Sequence, residues 1–374
     1  MSLSSTRPKS DPTPMRLSLR NPADLAAAAL IAPEQAAGLA DLAEKYAIAI
    51  TPAIADLIDP QDPNDPIARQ FVPDLAEMTA APHERADPIG DEAHAPVEGI
   101  VHRYPDRVLL KLLHVCAVYC RFCFRRETVG PGGASSLSPE AFTRALAYIA
   151  QRPQIWEVIL TGGDPLTMSP RRIASVMRAL GDIAHVKIVR IHTRIPVVDP
   201  ARITDAMVEA LKVGGKTVYV ALHANHPREL SADARAACAR IIDAGLPMVS
   251  QSVLLKGVND DPLVLADLMR AFVENRIKPY YLHHPDLAPG TAHLRVSIER
   301  GRELVAELRG RVSGLCQPDY VLDIPGGFGK VPVNRSYLEP EGAGWRVSDH
   351  SGQAHDYDDP DQPGVIAPHN RPMG

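Results

Sequence analysis

From Val108 onward, apolar runs of strand length alternate with longer stretches of helical character, always in the order strand then helix. The β-rich runs are Val108–Leu113, Ile155–Leu160, Val186–Ile191, Thr217–Leu222, Met248–Leu255 and Ile277–His283. The helices between them carry their own start signals: Ser138-Pro139, Ser169-Pro170, Ser231 before Ala232–Ala244, and Asp261-Pro262 each set a capping side chain ahead of a first turn. Six such units predict an α/β fold with a parallel sheet covered on both faces. An incomplete (β/α)6 barrel and a doubly wound sheet both satisfy this pattern, and the partial barrel is preferred at this length. In either case chemistry belongs at the C-terminal ends of the strands.

The flanks read differently. Residues 1–14 lack apolar periodicity and are expected to be a disordered lead. Asn21-Pro22 has the form of an N-cap and N1 proline, so helices are expected over Ala23–Ile31 and Pro33–Tyr46. Between Asp59 and Pro96, prolines recur among acidic residues, which predicts a loop-rich wrap around the main domain. The expected organisation is therefore a helical and loop-rich region over 15–100, the barrel over 101–315, a glycine-rich lysine loop over 316–347, and a flexible tail rich in Asp, Pro and His over 348–374.

Composition narrows the class. At 374 residues, 45% hydrophobic and 23% charged, the chain has the make-up of one large globular domain with additions. No apolar segment reaches the roughly 18 residues of a membrane span, and no secretory leader is evident. A net charge of -5 supplies no global attraction for nucleic acid. Five cysteines, of which Cys116, Cys120 and Cys123 cluster, fit a reducing cytoplasm better than an oxidised framework.

The cluster, Cys116-Ala-Val-Tyr-Cys120-Arg-Phe-Cys123, lies directly beyond the first predicted strand. Three thiolates can hold three irons of a [4Fe–4S] cube and leave the fourth open to a small ligand. A structural zinc or a disulfide would also use cysteines, but no second cysteine pair exists, and Cys238 and Cys316 stand alone. After the second strand, Thr161-Gly162-Gly163-Asp164-Pro165 is either an ordinary βα turn or a seat for an amino group beside a carboxylate. Late in the chain, Asp323-Ile-Pro-Gly326-Gly327-Phe328-Gly329-Lys330 puts a lysine in a glycine-rich loop. Partly buried, Lys330 can form a Schiff base with pyridoxal phosphate; otherwise it is an exposed lysine after a turn. Arg103, Tyr104 and Arg107 offer guanidinium forks and a phenol suited to phosphate, or form a solvated turn, and Arg125 and Arg126 are placed to meet a carboxylate.

Taken together, these residues resemble the lysine 2,3-aminomutase family of radical S-adenosylmethionine enzymes that also use pyridoxal phosphate. The resemblance runs from about Arg103 to Val333. Its most specific pieces are Tyr104-Pro-Asp-Arg-Val-Leu-Leu, the cysteine motif followed by Phe124-Arg-Arg, Gly162-Gly-Asp, Gln251-Ser-Val-Leu-Leu-Lys-Gly-Val-Asn259-Asp, Pro279-Tyr-Tyr-Leu, and the Lys330 loop. It implies that Cys116, Cys120 and Cys123 hold the cluster and that S-adenosylmethionine completes the fourth iron. Asp164, in the Gly162-Gly163 turn, would lie near its methionyl amino group, and Gln251 and Asn259 would contact its nucleoside. Lys330 would carry the coenzyme, with Arg103, Tyr104 and Arg107 on its phosphate and ring substituents. Arg125 would pair with the substrate carboxylate, and Asp286 with Asp323 would receive the distal ammonium of lysine. The implied reaction is 1,2-migration of the amino group of L-lysine to give β-lysine (3,6-diaminohexanoate), with a flavodoxin or ferredoxin as electron donor.

Departures and relatives keep neighbouring readings open. The clostridial type links subunits through zinc, using a cysteine after Gly-Val-Asn-Asp and others near its C-terminus; here Asp261 takes the first place and no cysteine follows Cys316. A homo-oligomer would therefore lack that zinc link. Phe328 interrupts a glycine run that the family often keeps pure. A related bacterial branch makes (R)-β-lysine for elongation factor P, and residues 102–126 are close to its signature, whereas Asp323 and the Pro-Gly-Gly loop are closer to the free-lysine branch. The same residues would also suit a radical S-adenosylmethionine enzyme without pyridoxal phosphate, an aminomutase for another amino acid, or a non-catalytic iron–sulfur or lysine-binding protein.

Overall fold

The strands of the main sheet add one after another in the order in which they occur along the chain, and that order explains the architecture. The computed structural model describes residues 16–130, 135–341 and 344–359. The predicted lead at 1–14 lies outside them, as does the part of the predicted tail beyond 359. Strand β1 (Ile100–Tyr104) turns back antiparallel onto β2 (Arg107–Leu113). Then β3 (Glu157–Gly162), β4 (Ile188–Thr193), β5 (Thr217–His223), β6 (Met248–Val253), β7 (Ile277–His283) and β8 (Asp319–Asp323) add in parallel, and β9 (Lys330–Pro332) returns antiparallel to β8.

Each parallel neighbour is the next strand in sequence. The order never reverses, as it must in a doubly wound sheet. Crossovers of one hand that keep adding to the same edge curl the sheet. The curl brings the first and last strands near one another, because the Lys330 amide at the start of β9 donates to Tyr104 Oη at the end of β1 at 2.7 Å. The fold is the expected partial barrel. It has one parallel strand more than the six-unit pattern predicted, β8, and an antiparallel strand at each edge.

Short helices α1 (Pro22–Ala27), α2 (Pro33–Gly38), α3 (Ala40–Lys45), α4 (Pro52–Ala55) and α5 (Ala68–Phe71) precede the sheet. The barrel helices are α6 (Pro139–Ala150), α7 (Pro170–Gly181), α8 (Ile195–Val198), α9 (Asp205–Lys212), α10 (Ala232–Asp243), α11 (Pro262–Glu274) and α12 (Ile298–Arg311). The predicted caps are in place: Ser138 accepts from the Ala141 amide, Ser169 from Arg172, Ser231 from Ala234, and Asp261 from Leu263 and Val264. Each stabilises its helix by about 1 kcal/mol. Asp261, where the zinc-linked relatives are expected to have a cysteine, is thus a helix cap.

Differences from the pattern have local causes. The helix expected over Pro33–Tyr46 is split after Gly38, the poorest helix former in the interior of that run. Strands β3 and β4 start later than predicted, because Ile155 and Val186, although fully buried, belong to the preceding turns. The tail predicted from Ser348 is paired as far as Tyr357. Strands β10 (Leu338–Glu341), β11 (Gly344–Ser348) and β12 (Ala354–Tyr357) form a separate antiparallel sheet, too short and too polar to leave a clear pattern. No helix among the described residues is long and apolar enough to cross a membrane.

On the parallel strands one row of side chains packs under the helices and the other faces the concave side. On β4 Val189 and Ile191 are fully buried, while Arg190 and His192 alternate with them. The region before β1 is strapped across the barrel by its acidic residues. Asp65 pairs with Arg228, Glu77 with Arg121 and Arg126, Glu84 with Arg295, and Asp91 with Arg103 and Arg125. In the Glu77, Glu84 and Asp91 clusters both partners are largely buried. Removing one member of such a pair strands the other charge, at a cost of about 3–5 kcal/mol. This gives the recurrent acids of the proline-rich stretch a physical role.

Candidate active site

The concave face encloses a cavity of about 380 Å³ at the C-terminal ends of the strands. Cys116, Cys120 and Cys123 line it, as do Gly163 and Asp164 after β3, Gln251 on β6, Arg103 and Tyr104 at the end of β1, Arg107 at the start of β2, Arg125, Asp286, Asp323 and Lys330. Residues scattered over more than two hundred positions of sequence thus share one space.

The cysteine loop is seated on the end of β3. The Gly163 amide donates to Leu113 O at 2.6 Å and the Asp164 amide to Val115 O at 3.0 Å. A Cβ on Gly163 would lie 2.1 Å from Val115 O, and Gly162 adopts φ +105°. The glycine pair therefore admits the cysteine loop itself; Gly162 does not line the cavity. The Asp164 carboxylate ties this turn to the end of β4, accepting from Thr193 Oγ1 and the Arg194 amide, both at 2.7 Å, and caps its own turn by accepting from the Leu166 amide at 3.0 Å. Burial raises its affinity for a proton against the pull of those bonds.

The thiols do not meet at one point, and no group of three or more His, Cys, Asp or Glu among the described residues does so. That geometry does not suit a single zinc ion. A cube makes no such demand, because each of its thiolates takes its own iron. Cys120 Sγ accepts from Arg194 Nη1 at 2.9 Å, and Arg194 is held in turn by Glu229 and by Gln70. Burial pushes all three thiols up, Cys123 to about 11, so metal must displace protons to bind.

Across the cavity, Lys330 Nζ donates to Asp323 Oδ1 at 2.5 Å. His283 Nδ1 lies 3.5 Å and Arg103 Nη1 3.8 Å from the same carboxylate. Burial would raise the Asp323 carboxyl, but the His283 hydrogen bond and the Lys330 charge outweigh it and hold the group below the usual range. Asp286 goes the other way: burial, reinforced by the nearby Asp323 charge, pushes it up to about 7. The Lys330 loop is shaped by glycine, since a Cβ on Gly329, at φ +95°, would sit 2.9 Å from Tyr104 Oη. Arg107 stacks on the Tyr104 ring at 3.9 Å. Arg103 donates to Ile89 O at 2.7 Å, while its buried Nε has no hydrogen-bond partner among the described residues. An unpaired buried guanidinium N–H next to a lysine in a glycine loop fits a phosphorylated coenzyme bound through an aldehyde.

One predicted contact is turned away. Asn259 donates to Asn225 O at 2.8 Å and Val253 O at 3.0 Å and accepts from the Leu255 amide at 2.7 Å. Its amide is spent on stapling the loop after β6, and it does not line the cavity. Gln251 does, within 3.0 Å of His192. Arg190, His192, Arg194, His223 and His283 also line the cavity and were not singled out from sequence. Their signal was present as Arg190-x-His192-x-Arg194, polar residues at period two inside an apolar strand. Burial holds His192 and His223 well below the ordinary histidine range, so both are neutral.

Residues 110–269 match the family model of the Radical SAM superfamily. Over 305 residues the chain is 42% identical to an L-lysine 2,3-aminomutase of Clostridium subterminale, covering 82% of this chain and 73% of that one. It is 39% identical to the L-lysine 2,3-aminomutase of Acetoanaerobium sticklandii, covering 88% and 80%. A glutamate 2,3-aminomutase of Clostridioides difficile is 36% identical, covering 81% and 71%. Among solved structures, the chain is similar to a radical SAM methyltransferase from Sphaerobacter thermophilus at 21% identity and a TM-score of 0.43, over 60% of this chain and 68% of that one.

Proposed function

This chain belongs to the lysine 2,3-aminomutase family of radical SAM enzymes, and from that membership we propose that it converts L-lysine to β-lysine inside the cavity just described. The observation that carries the reading is the meeting of three half-buried cysteines and a lysine–aspartate pair in one cavity. When bound, a [4Fe–4S] cluster on the three cysteines with S-adenosylmethionine would supply radical chemistry for removing a hydrogen atom, and pyridoxal phosphate on Lys330 would supply an aldehyde for the substrate amine.

The chain's own residues do the rest. Cys116, Cys120 and Cys123 hold the cluster, and Arg194 fixes Cys120. Asp164 and Gln251 face S-adenosylmethionine. Lys330 carries the coenzyme between turnovers, with Arg103, Tyr104 and Arg107 on its phosphate and ring. Arg125 meets the substrate carboxylate. Asp286 and Asp323 receive the distal ammonium, and Asp323 already holds an ammonium, that of Lys330. Two acids suit the ammonium of lysine, whereas the side-chain carboxylate of glutamate would face like charge here. The strap over 59–96 keeps competing donors and water from the radical. Electrons come from a flavodoxin or ferredoxin type of protein in a reducing, cytoplasmic compartment, and any homo-oligomer forms without the zinc link.

Two outcomes follow. Reduction of the coenzyme-loaded protein with borohydride should place the pyridoxyl label on the peptide containing Lys330; a label elsewhere, or none, contradicts the assignment. The dissociation constant for lysine should fall as pH rises through about 7, because Asp286 must ionise to hold an ammonium. Titrations between pH 6 and 8 check this, and Asp286→Asn should flatten the dependence.

A further inference from the structure

We infer that Asp91, carried by the acidic strap, is a positioning residue that sets the substrate-carboxylate arginine and the coenzyme arginine relative to one another. The inference rests on the proposed roles of Arg125 and Arg103. Asp91 is 6% exposed and divides its carboxylate between the two: Oδ2 accepts from Arg125 Nε at 3.1 Å and Nη2 at 2.9 Å, and Oδ1 from Arg103 Nη2 at 3.3 Å. Each arginine keeps a donor free although Arg103 also meets Ile89 O at 2.7 Å and lies 3.8 Å from the Asp323 carboxylate. Arg125 Nη1 reaches nothing nearer than Thr161 Oγ1 at 3.5 Å, and Arg103 Nε has no partner among the described residues. The uncommitted donors are those left for incoming anions.

The turn that carries Asp91 is itself fixed. Asp87 accepts from the Asp91 amide at 2.9 Å and from the Glu92 amide at 2.8 Å. On its flanks, His94 Nε2 donates to Gly327 O at 2.9 Å, and a Cβ on Gly90 would lie 2.4 Å from Gly327 N. The same turn therefore touches the loop of Lys330. Two guanidinium groups this close would repel and splay without a shared counter-charge, and a planar fork binds well only when its plane is set. Asp91 supplies both, so the substrate's two anchors, its carboxylate and the coenzyme, are held in register.

The test is a set of double-mutant cycles on cluster-containing protein, reading coenzyme affinity by absorbance and lysine affinity by the change in the coenzyme spectrum. Asp91→Asn, nearly isosteric, should lower the melting temperature, since two arginines lose their shared counter-charge, yet retain the cluster absorbance of folded protein and weaken both affinities about tenfold. In an Arg125→Ala background its effect on lysine should vanish and its effect on coenzyme persist; in an Arg103→Ala background the reverse should hold. Equal losses in every background, or unchanged or tighter binding in Asp91→Asn alone, would overturn the inference. If Arg125→Ala by itself leaves lysine affinity intact, the carboxylate assignment falls first and takes this inference with it.

Discussion

Cys120→Ala is expected to yield a folded protein without an iron–sulfur chromophore and without aminomutase activity, a loss of about a thousandfold or more in turnover. The effect is large because a cube held by three thiolates has no spare protein ligand: Cys238 is buried in α10 and Cys316 lies just before β8, and neither lines the cavity. The fold should survive, since Arg194 keeps Glu229 and Gln70 when it loses Cys120 Sγ. Iron analysis and the visible spectrum after anaerobic reconstitution check the outcome, with Cys238→Ala as the control that keeps its iron. Unchanged iron content in Cys120→Ala would remove the cysteine loop from the account.

Asp323→Asn is expected to lower kcat/KM for lysine by about a thousandfold while leaving the cluster spectrum intact. The carboxylate has two duties. In the coenzyme-free protein it neutralises the Lys330 ammonium, and in the proposed reading it receives the distal ammonium of the substrate beside Asp286. The amide keeps the shape and loses the charge, so a buried cation is left uncompensated at both stages. Steady-state kinetics with lysine, alongside the absorbance of the cluster, separates this from a folding defect, in which the cluster spectrum would be lost as well.

What could be read in advance follows the range of the interactions. Helix caps and the cysteine spacing are local, and the structure has Ser138, Ser169, Ser231 and Asp261 where the pattern set them. The strand–helix alternation left barrel and doubly wound sheet open, because strand order is a property of the whole chain; sequential pairing decided it. The role of the proline-rich stretch was hidden for the same reason. Asp91 reaches Arg125 across 34 positions and Glu77 reaches Arg121 across 44, and nothing periodic marks such contacts. Asn259 shows the converse: a polar residue in a matching motif, whose orientation depends on a loop that only the folded chain defines.

The Gly162-Gly163 turn teaches a related lesson. Small residues near a binding site suggested close approach by a ligand, yet the atom that would collide with a Gly163 Cβ is the backbone oxygen of Val115. The glycines serve the ligand indirectly, by letting the cysteine loop sit where the sheet needs it. The departure at Phe328 is also benign in form, since that side chain is 79% exposed and the close approach to Tyr104 is made by Gly329.

The central claim, that one cavity joins a radical-generating cluster to a lysine-specific amino migration, is tested most directly by product analysis. Protein reconstituted anaerobically with iron, sulfide, pyridoxal phosphate, S-adenosylmethionine and reductant is offered lysine, glutamate and other amino acids in parallel. The account predicts β-lysine from lysine and no β-glutamate from glutamate. Turnover of glutamate in preference to lysine, or no product from any amino acid by protein carrying both cluster and coenzyme, would contradict it.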